Sequence, residues 1–150
     1  MKPILVLIGT FLLSVIISRI ATGDIHLAFS GNLAMCMMLF LTATGHFLFP
    51  TGMTMMLPPI IPFKKMIIYL TGIFEIIAGV ALLFPAARIV TGWLLLAFFI
   101  LILPANIYAA YKHVNLEQAT YEGPGLNYLW FRVPEQILFI GWVYYFSIHQ

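Results

Sequence analysis

Charge is what this sequence has least of. Lys and Arg number seven and Asp and Glu five, 8% of 150 residues, against 63% hydrophobic residues. The mean hydropathy is +1.04. A water-soluble domain of this size has no use for so much apolar surface, so the composition marks an integral membrane protein. The net charge is +2 and the basic residues are scattered, which excludes a nucleic-acid footprint. Cysteine is nearly absent too. Cys36 stands alone inside an apolar run, so there is neither an internal disulfide nor a CxxC redox pair, and thiol–disulfide chemistry would belong to a partner. There is no haem-attachment motif, no phosphate-binding glycine loop and no HExxH. No room remains for a soluble catalytic module, and residues 1–150 read as one membrane domain.

What is present is a series of apolar runs of membrane-crossing length: 3–20, 32–50, 66–84, 89–111 and 128–149. They predict an all-α polytopic membrane helical bundle of five transmembrane helices. Lys2 before the first run is compatible with a secretory signal, but no small-x-small cleavage motif follows, so the run reads as a retained helix. Asp24 and His26 fall in a solvated linker over 21–31. Residues 51–65 carry Pro58, Pro59 and Pro62, which remove backbone donors, and this segment reads as a non-helical interfacial lid. Pro85 to Arg88 read as a tight turn, and 113–127 as the one hydrophilic loop. Lys2, Lys64, Lys65 and Lys112 fall on one side of this arrangement, Arg19 and Arg88 on the other. The positive-inside rule then puts the N-terminus in the cytoplasm.

Polar residues within the runs are few enough to weigh singly. Glu75 sits at the midpoint of a run spanning roughly 28 Å, where an ionisable group costs about 2.5 kcal/mol or more. Thr71, Gly72, Ala78 and Gly79 share its helical face, a small surface suited to close packing, so Glu75 points inward. His46, Thr42 and Gly45 give the second run a polar last turn. Tyr69 lies one turn into the third run, and Asn106 follows Pro104 near the end of the fourth. Arg132, Glu135 and Gln136 share a face at the start of the fifth. In an alternating bundle these groups occupy one leaflet, beneath the proline segment, whichever way the protein is inserted. His46 and Glu75 are the candidates for handling protons. Tyr69, Asn106, Arg132, Glu135 and Gln136 join them as candidate ligands for the polar head of a lipophilic molecule such as a quinone. A metal site from His46, Glu75 and Glu135 lacks the paired Glu-x-x-His pattern of di-iron bundles, so no metal is expected.

The strings GHFLFP, MLPPIIP, YLTGIFEIIAGVALLFP with Arg88, GWLL, PANIYAA and FRVPEQ resemble the DoxX-like family of small bacterial membrane proteins. The resemblance covers residues 32–149 and makes the first helix an addition to a four-helix core. Its pattern falls on His46 and Phe47, Pro59 and Pro62, Gly72 and Glu75, Pro85 and Arg88, Pro104 to Asn106, and Arg132 and Gln136. It implies the bacterial inner membrane and a membrane subunit of a quinone-linked oxidoreductase, with a quinone as the non-covalent cofactor and a redox protein as partner.

Three functional expectations follow. The first is a polar pocket that binds a small lipophilic molecule in membrane lipid and serves a redox partner. The second is an assembly or docking subunit whose buried polar groups fix helix register. The third is a proton-coupled transporter, for which five spans without an internal repeat would require a homo-oligomer.

Overall fold

The computed structural model describes residues 2–149, so Met1 and Gln150, the ends of the expected domain, lie outside it. Regular structure among the described residues is helical, apart from one isolated bridge between Asn115 and Thr120. The helices are α1 (Lys2–Thr22), α2 (Leu27–Leu48), α3 (Pro50–Met55), α4 (Lys64–Ala81), α5 (Pro85–Tyr111) and α6 (Leu129–Val143). A 3-10 turn at Gly125–Tyr128 leads into α6, and a π-helical turn at Tyr144–His149 continues it.

Three of these helices, α1, α2 and α5, are long and apolar enough to cross a membrane. The other two expected spans differ for identifiable reasons. The 18 residues of α4 include Lys64, Lys65 and Glu75. The last run divides into 15 α-helical residues and a six-residue π turn.

Several sequence expectations need correction at their edges. The linker contracts from 21–31 to residues 23–26, because Leu27–Gly31 continue the apolar helix. Gly23 ends α1 in the left-handed conformation, with φ 78°, and its N–H bonds to the Arg19 carbonyl at 3.2 Å. Pro85–Arg88 are the first turn of α5 rather than a separate turn. Pro85 has no N–H to lose at a helix start, and its fixed φ suits that position. The expected non-helical lid begins with the short helix α3, also opened by a proline.

The core lies where α1, α2, α4, α5 and α6 converge, built on Leu7, Met35, Met38, Leu39, Leu82, Leu95, Phe99 and Val143. Large apolar side chains elsewhere face outward, including Leu12, Ile16, Ile77, Trp93 and Leu101. An apolar exterior around a polar-containing interior is the pattern expected in lipid. The two ends of the bundle are distinct. At one, Lys2 pairs with Glu117 at 3.5 Å and Gly52 of α3 packs on the Leu116 backbone. At the other, the α1–α2 turn faces the α4–α5 turn.

Candidate functional site

The closest helix pairing in the site is α2 against α4. Gly72 lies beneath His46, and Gly79 packs on the Cys36 backbone. With no side chain at either point the two backbones approach, and Glu75, between them in sequence, is carried into the interface. It is 4% exposed, and in an apolar bundle a carboxylate oxygen left without a partner is costly.

Those partners come from α2. Thr42 Oγ1 lies 2.8 Å from Glu75 Oε2, and His46 Nε2 lies 3.6 Å from Glu75 Oε1. On the other side of the imidazole, Nδ1 is 2.9 Å from the Ile68 carbonyl and 3.1 Å from Thr71 Oγ1. A carbonyl only accepts, so Nδ1 carries the hydrogen and donates it. The neutral ring therefore presents a bare Nε2 to Glu75, and the contact is favourable when one proton lies between them. That proton sits on the carboxyl in a neutral pair or on the imidazole in an ion pair. Thr42 accommodates both states. Its hydroxyl donates to Glu75 Oε2 in each, because the proton is shared at Oε1 and Oε2 only accepts; the Leu39 carbonyl, at 3.0 Å, is its alternative acceptor within α2. The unit can hold a proton and exchange it without stranding a polar atom.

A second polar cluster lies on α5 and α6, toward the same end of the bundle. Arg132 Nη1 donates to Glu135 Oε2 at 2.5 Å, with Glu135 2% exposed. Gln136 Nε2 donates to the Phe99 carbonyl at 2.6 Å, and Asn106 Nδ2 lies 3.5 Å from Gln136 Oε1. Pro104, inside α5, withholds the N–H that Ile100 would otherwise receive, which loosens the helix beside this contact. Glu135 Oε1 is buried with no hydrogen-bond partner among the described residues.

The sequence-predicted residues are thus brought together in two groups rather than one. His46 and Glu75 touch; Asn106, Arg132, Glu135 and Gln136 form the other group. No hydrogen bond or ion pair among the described residues joins the two. Tyr69 belongs to neither: it is exposed and stacks on Phe47 with ring centroids 5.9 Å apart. Pro59 and Pro62 are exposed and Pro58 is half-buried. Within that segment, Met53 of α3 packs its Cε on Gly45, the residue before His46. No group of three or more His, Cys, Asp and Glu side chains among the described residues is arranged to hold a metal ion.

Sequence reasoning missed a third polar network, toward the opposite end. Asn32 Nδ2 donates to the Ala28 and Phe146 carbonyls, both at 2.7 Å, and Ser147 Oγ donates to Asn32 Oδ1 at 2.7 Å. Ser14 donates to Ser30 at 2.9 Å, and Trp142 Nε1 to the Gly31 carbonyl at 3.0 Å. The signal was present as a lone asparagine beside Ser30 and Gly31 in an apolar run. Every amide group of Asn32 is satisfied by protein, so this network joins α1, α2 and the C-terminal turn and leaves nothing for a ligand.

Residues 35–147 match the family model described as "Domain of unknown function (DUF8561)". The match takes in most of the chain, and the chain belongs to that family. No curated protein and no solved structure matches it.

Proposed function

We propose that this family member is a five-span membrane protein that binds the polar head of a small lipophilic molecule, quinone-like in chemistry, and exchanges a proton with it through His46 and Glu75. The observation that carries the reading is the buried imidazole–carboxyl contact. Its Nδ1 is committed to a backbone carbonyl, its Nε2 faces Glu75, and Thr42 suits either position of the proton. A ligand oxygen that gains or loses a proton on reduction or oxidation is the complement of such a pair. Arg132 and Asn106 are the second anchoring group for ligand oxygens. Helix α4 and the combined α6 and π turn supply the remaining two crossings, with Lys64 and Lys65 reaching the interface. The DoxX-like resemblance supports a redox-associated subunit in a bacterial inner membrane with its N-terminus in the cytoplasm.

A second reading is favoured by a specific observation. Both polar clusters are closed largely by bonds within one helix pair, and two cavities lie elsewhere, between the interhelical turns and on the outer face of α4 and α5. On that reading the polar groups fix helix register in an assembly subunit.

Mass spectrometry of lipophilic molecules that co-purify with gently extracted protein separates the two. A discrete quinone or phenol retained by wild type and lost from Glu75→Gln is the expected result. Bulk phospholipid alone in both samples, with Glu75→Gln folded normally, overturns the ligand reading and leaves the assembly subunit.

A further inference from the structure

One atom of the second polar cluster is left over by the contacts that close it. Glu135 is 2% exposed; its Oε2 accepts from Arg132 Nη1 at 2.5 Å, and its Oε1 has no hydrogen-bond partner among the described residues. A buried acceptor in that state is destabilising until a donor reaches it. A proton on Oε1 does not remove the need, since its O–H would then lack an acceptor. The neighbouring amides do not supply the donor. Gln136 commits Nε2 to the Phe99 carbonyl at 2.6 Å, and Asn106 Nδ2 turns to Gln136 Oε1 at 3.5 Å. Arg132 places Nη1 on Oε2, and its Nε and Nη2 make no hydrogen bond among the described residues. One ion pair thus carries an unused acceptor and unused donors.

The pair stands where a molecule can approach it. Glu135 lies within two turns of Leu129, where α6 begins. The Arg132 side chain, nearer that end, is 20% exposed against 1% for Glu135, so the guanidinium is the part an entering molecule meets first. Pro134 immediately precedes Glu135 inside α6, and Pro104 lies inside α5 two residues before Asn106. Each withholds one N–H from its helical ladder, at the carbonyls of Trp130 and Ile100, and both helices are loosened beside the cluster.

We propose that Glu135 Oε1 accepts a hydrogen bond from a hydroxyl group of the bound molecule, and that the site therefore selects the hydroquinone form of a quinone-like ligand over the quinone. A phenolic hydroxyl donates through its hydrogen and accepts through its oxygen, so one group meets both Glu135 Oε1 and the unused N–H groups of Arg132. A quinone carbonyl only accepts. It takes a bond from Arg132 and leaves Oε1 buried without a partner. A site built to hydrogen-bond a hydroxyl rejects the analogue lacking it more strongly than apolar contacts discriminate. The inference rests on the reading of this chain as a binder of quinone-like molecules, and adds the redox form that is held and the residue that selects it.

The test is anaerobic calorimetric titration of the detergent-solubilised full chain with decylubiquinone and, separately, with the same compound held reduced as decylubiquinol. The quinol is expected to bind about tenfold or more tightly, the size of effect that a hydrogen bond to a buried charged group gives. In Glu135→Gln the amide carbonyl keeps the bond from Arg132 and the NH2 group stands where Oε1 stood. An acceptor becomes a donor, and the quinone becomes the tighter ligand. A merely structural Glu135 would weaken both forms alike. Arg132→Met with Glu135→Leu is the second variant, since it strands no charge; it loses the preference without reversing it. Equal binding of the two forms by wild type overturns the inference, with Oε1 met by water alone, and leaves the quinone-binding reading in place. A quinol preference that survives in either folded variant overturns Glu135 as its origin. Binding of neither form by wild type overturns both the selection and the reading beneath it.

Discussion

Gly72 lies so close to His46 that a Cβ on the glycine would stand 2.8 Å from the histidine Cβ. The glycine sets the separation of α2 and α4, and the separation sets the His46–Glu75 contact. Gly72→Ala therefore pushes the helices apart and costs about 1–3 kcal/mol, as overpacking does in other tightly packed interiors. Gly141→Ala is the control, since a Cβ there meets nothing within 4 Å. It is expected to stabilise by about 0.5–1 kcal/mol through reduced backbone freedom. Reversible unfolding in mixed micelles measures both.

Glu75→Gln and Glu75→Leu should part company. The glutamine amide donates to the bare Nε2 of His46 while its carbonyl accepts from Thr42, so folding stability stays within about 1 kcal/mol of wild type. Leucine leaves the Nε2 of His46 without its counterpart and turns Thr42 wholly back to its own helix, at a cost of about 1–3 kcal/mol. An infrared carboxylic-acid band present in wild type and missing from Glu75→Gln would locate the shared proton on the carboxyl. Equal stability of the two variants would show that the pair is not a packed unit.

Arg132 and Glu135 illustrate a different balance. Arg132→Ala leaves a buried carboxylate with neither oxygen partnered, and a loss of about 3–5 kcal/mol is expected. Replacing both, Arg132→Met with Glu135→Leu, removes the stranded charge and recovers most of that loss. A double variant no more stable than Arg132→Ala would contradict the burial of the pair. Arg132→Met and Glu135→Leu measured singly and together form a double-mutant cycle that isolates their coupling.

Gly31→Ala probes the opposite end. A Cβ at Gly31 would overlap the Phe146 ring, at 2.2 Å from its Cγ, and the same residue's carbonyl accepts from Trp142. A loss of about 1–3 kcal/mol is expected, with a shift in Trp fluorescence as the indole N–H loses its acceptor. Unchanged fluorescence in a folded variant would rule out that contact.

The helical architecture was legible because hydropathy over runs of this length leaves one physical solution, a helix with its backbone satisfied internally. Burial of Glu75 was legible for the same reason, from the small residues on its face. Its pairing with His46 was not, because it depends on which helices are neighbours, and apolar surfaces of similar shape do not encode that choice locally. The same ignorance merged the Asn106–Gln136 contact with the His46–Glu75 pair, since shared depth does not imply shared position around the bundle. Tyr69 was misjudged because depth alone carries no direction, and its ring faces outward. Helix ends shifted where local chemistry outweighs hydropathy: Pro85 starts a helix, and Leu27–Gly31 extend one.

The bonds from Asn32 to Phe146 and Ser147 span 114 and 115 residues of chain. During synthesis, α2 is complete long before its carboxamide can meet either partner. Until the last helix arrives, a strongly polar amide must stay with the insertion machinery, with water, or with its own Ala28 carbonyl. The polar face of α2 at Asn32 is therefore completed only by the final turn. Without that turn Asn32 keeps its bond to the Ala28 carbonyl and loses both partners supplied by Phe146 and Ser147, so a contact opened by the second helix is closed only by the last one.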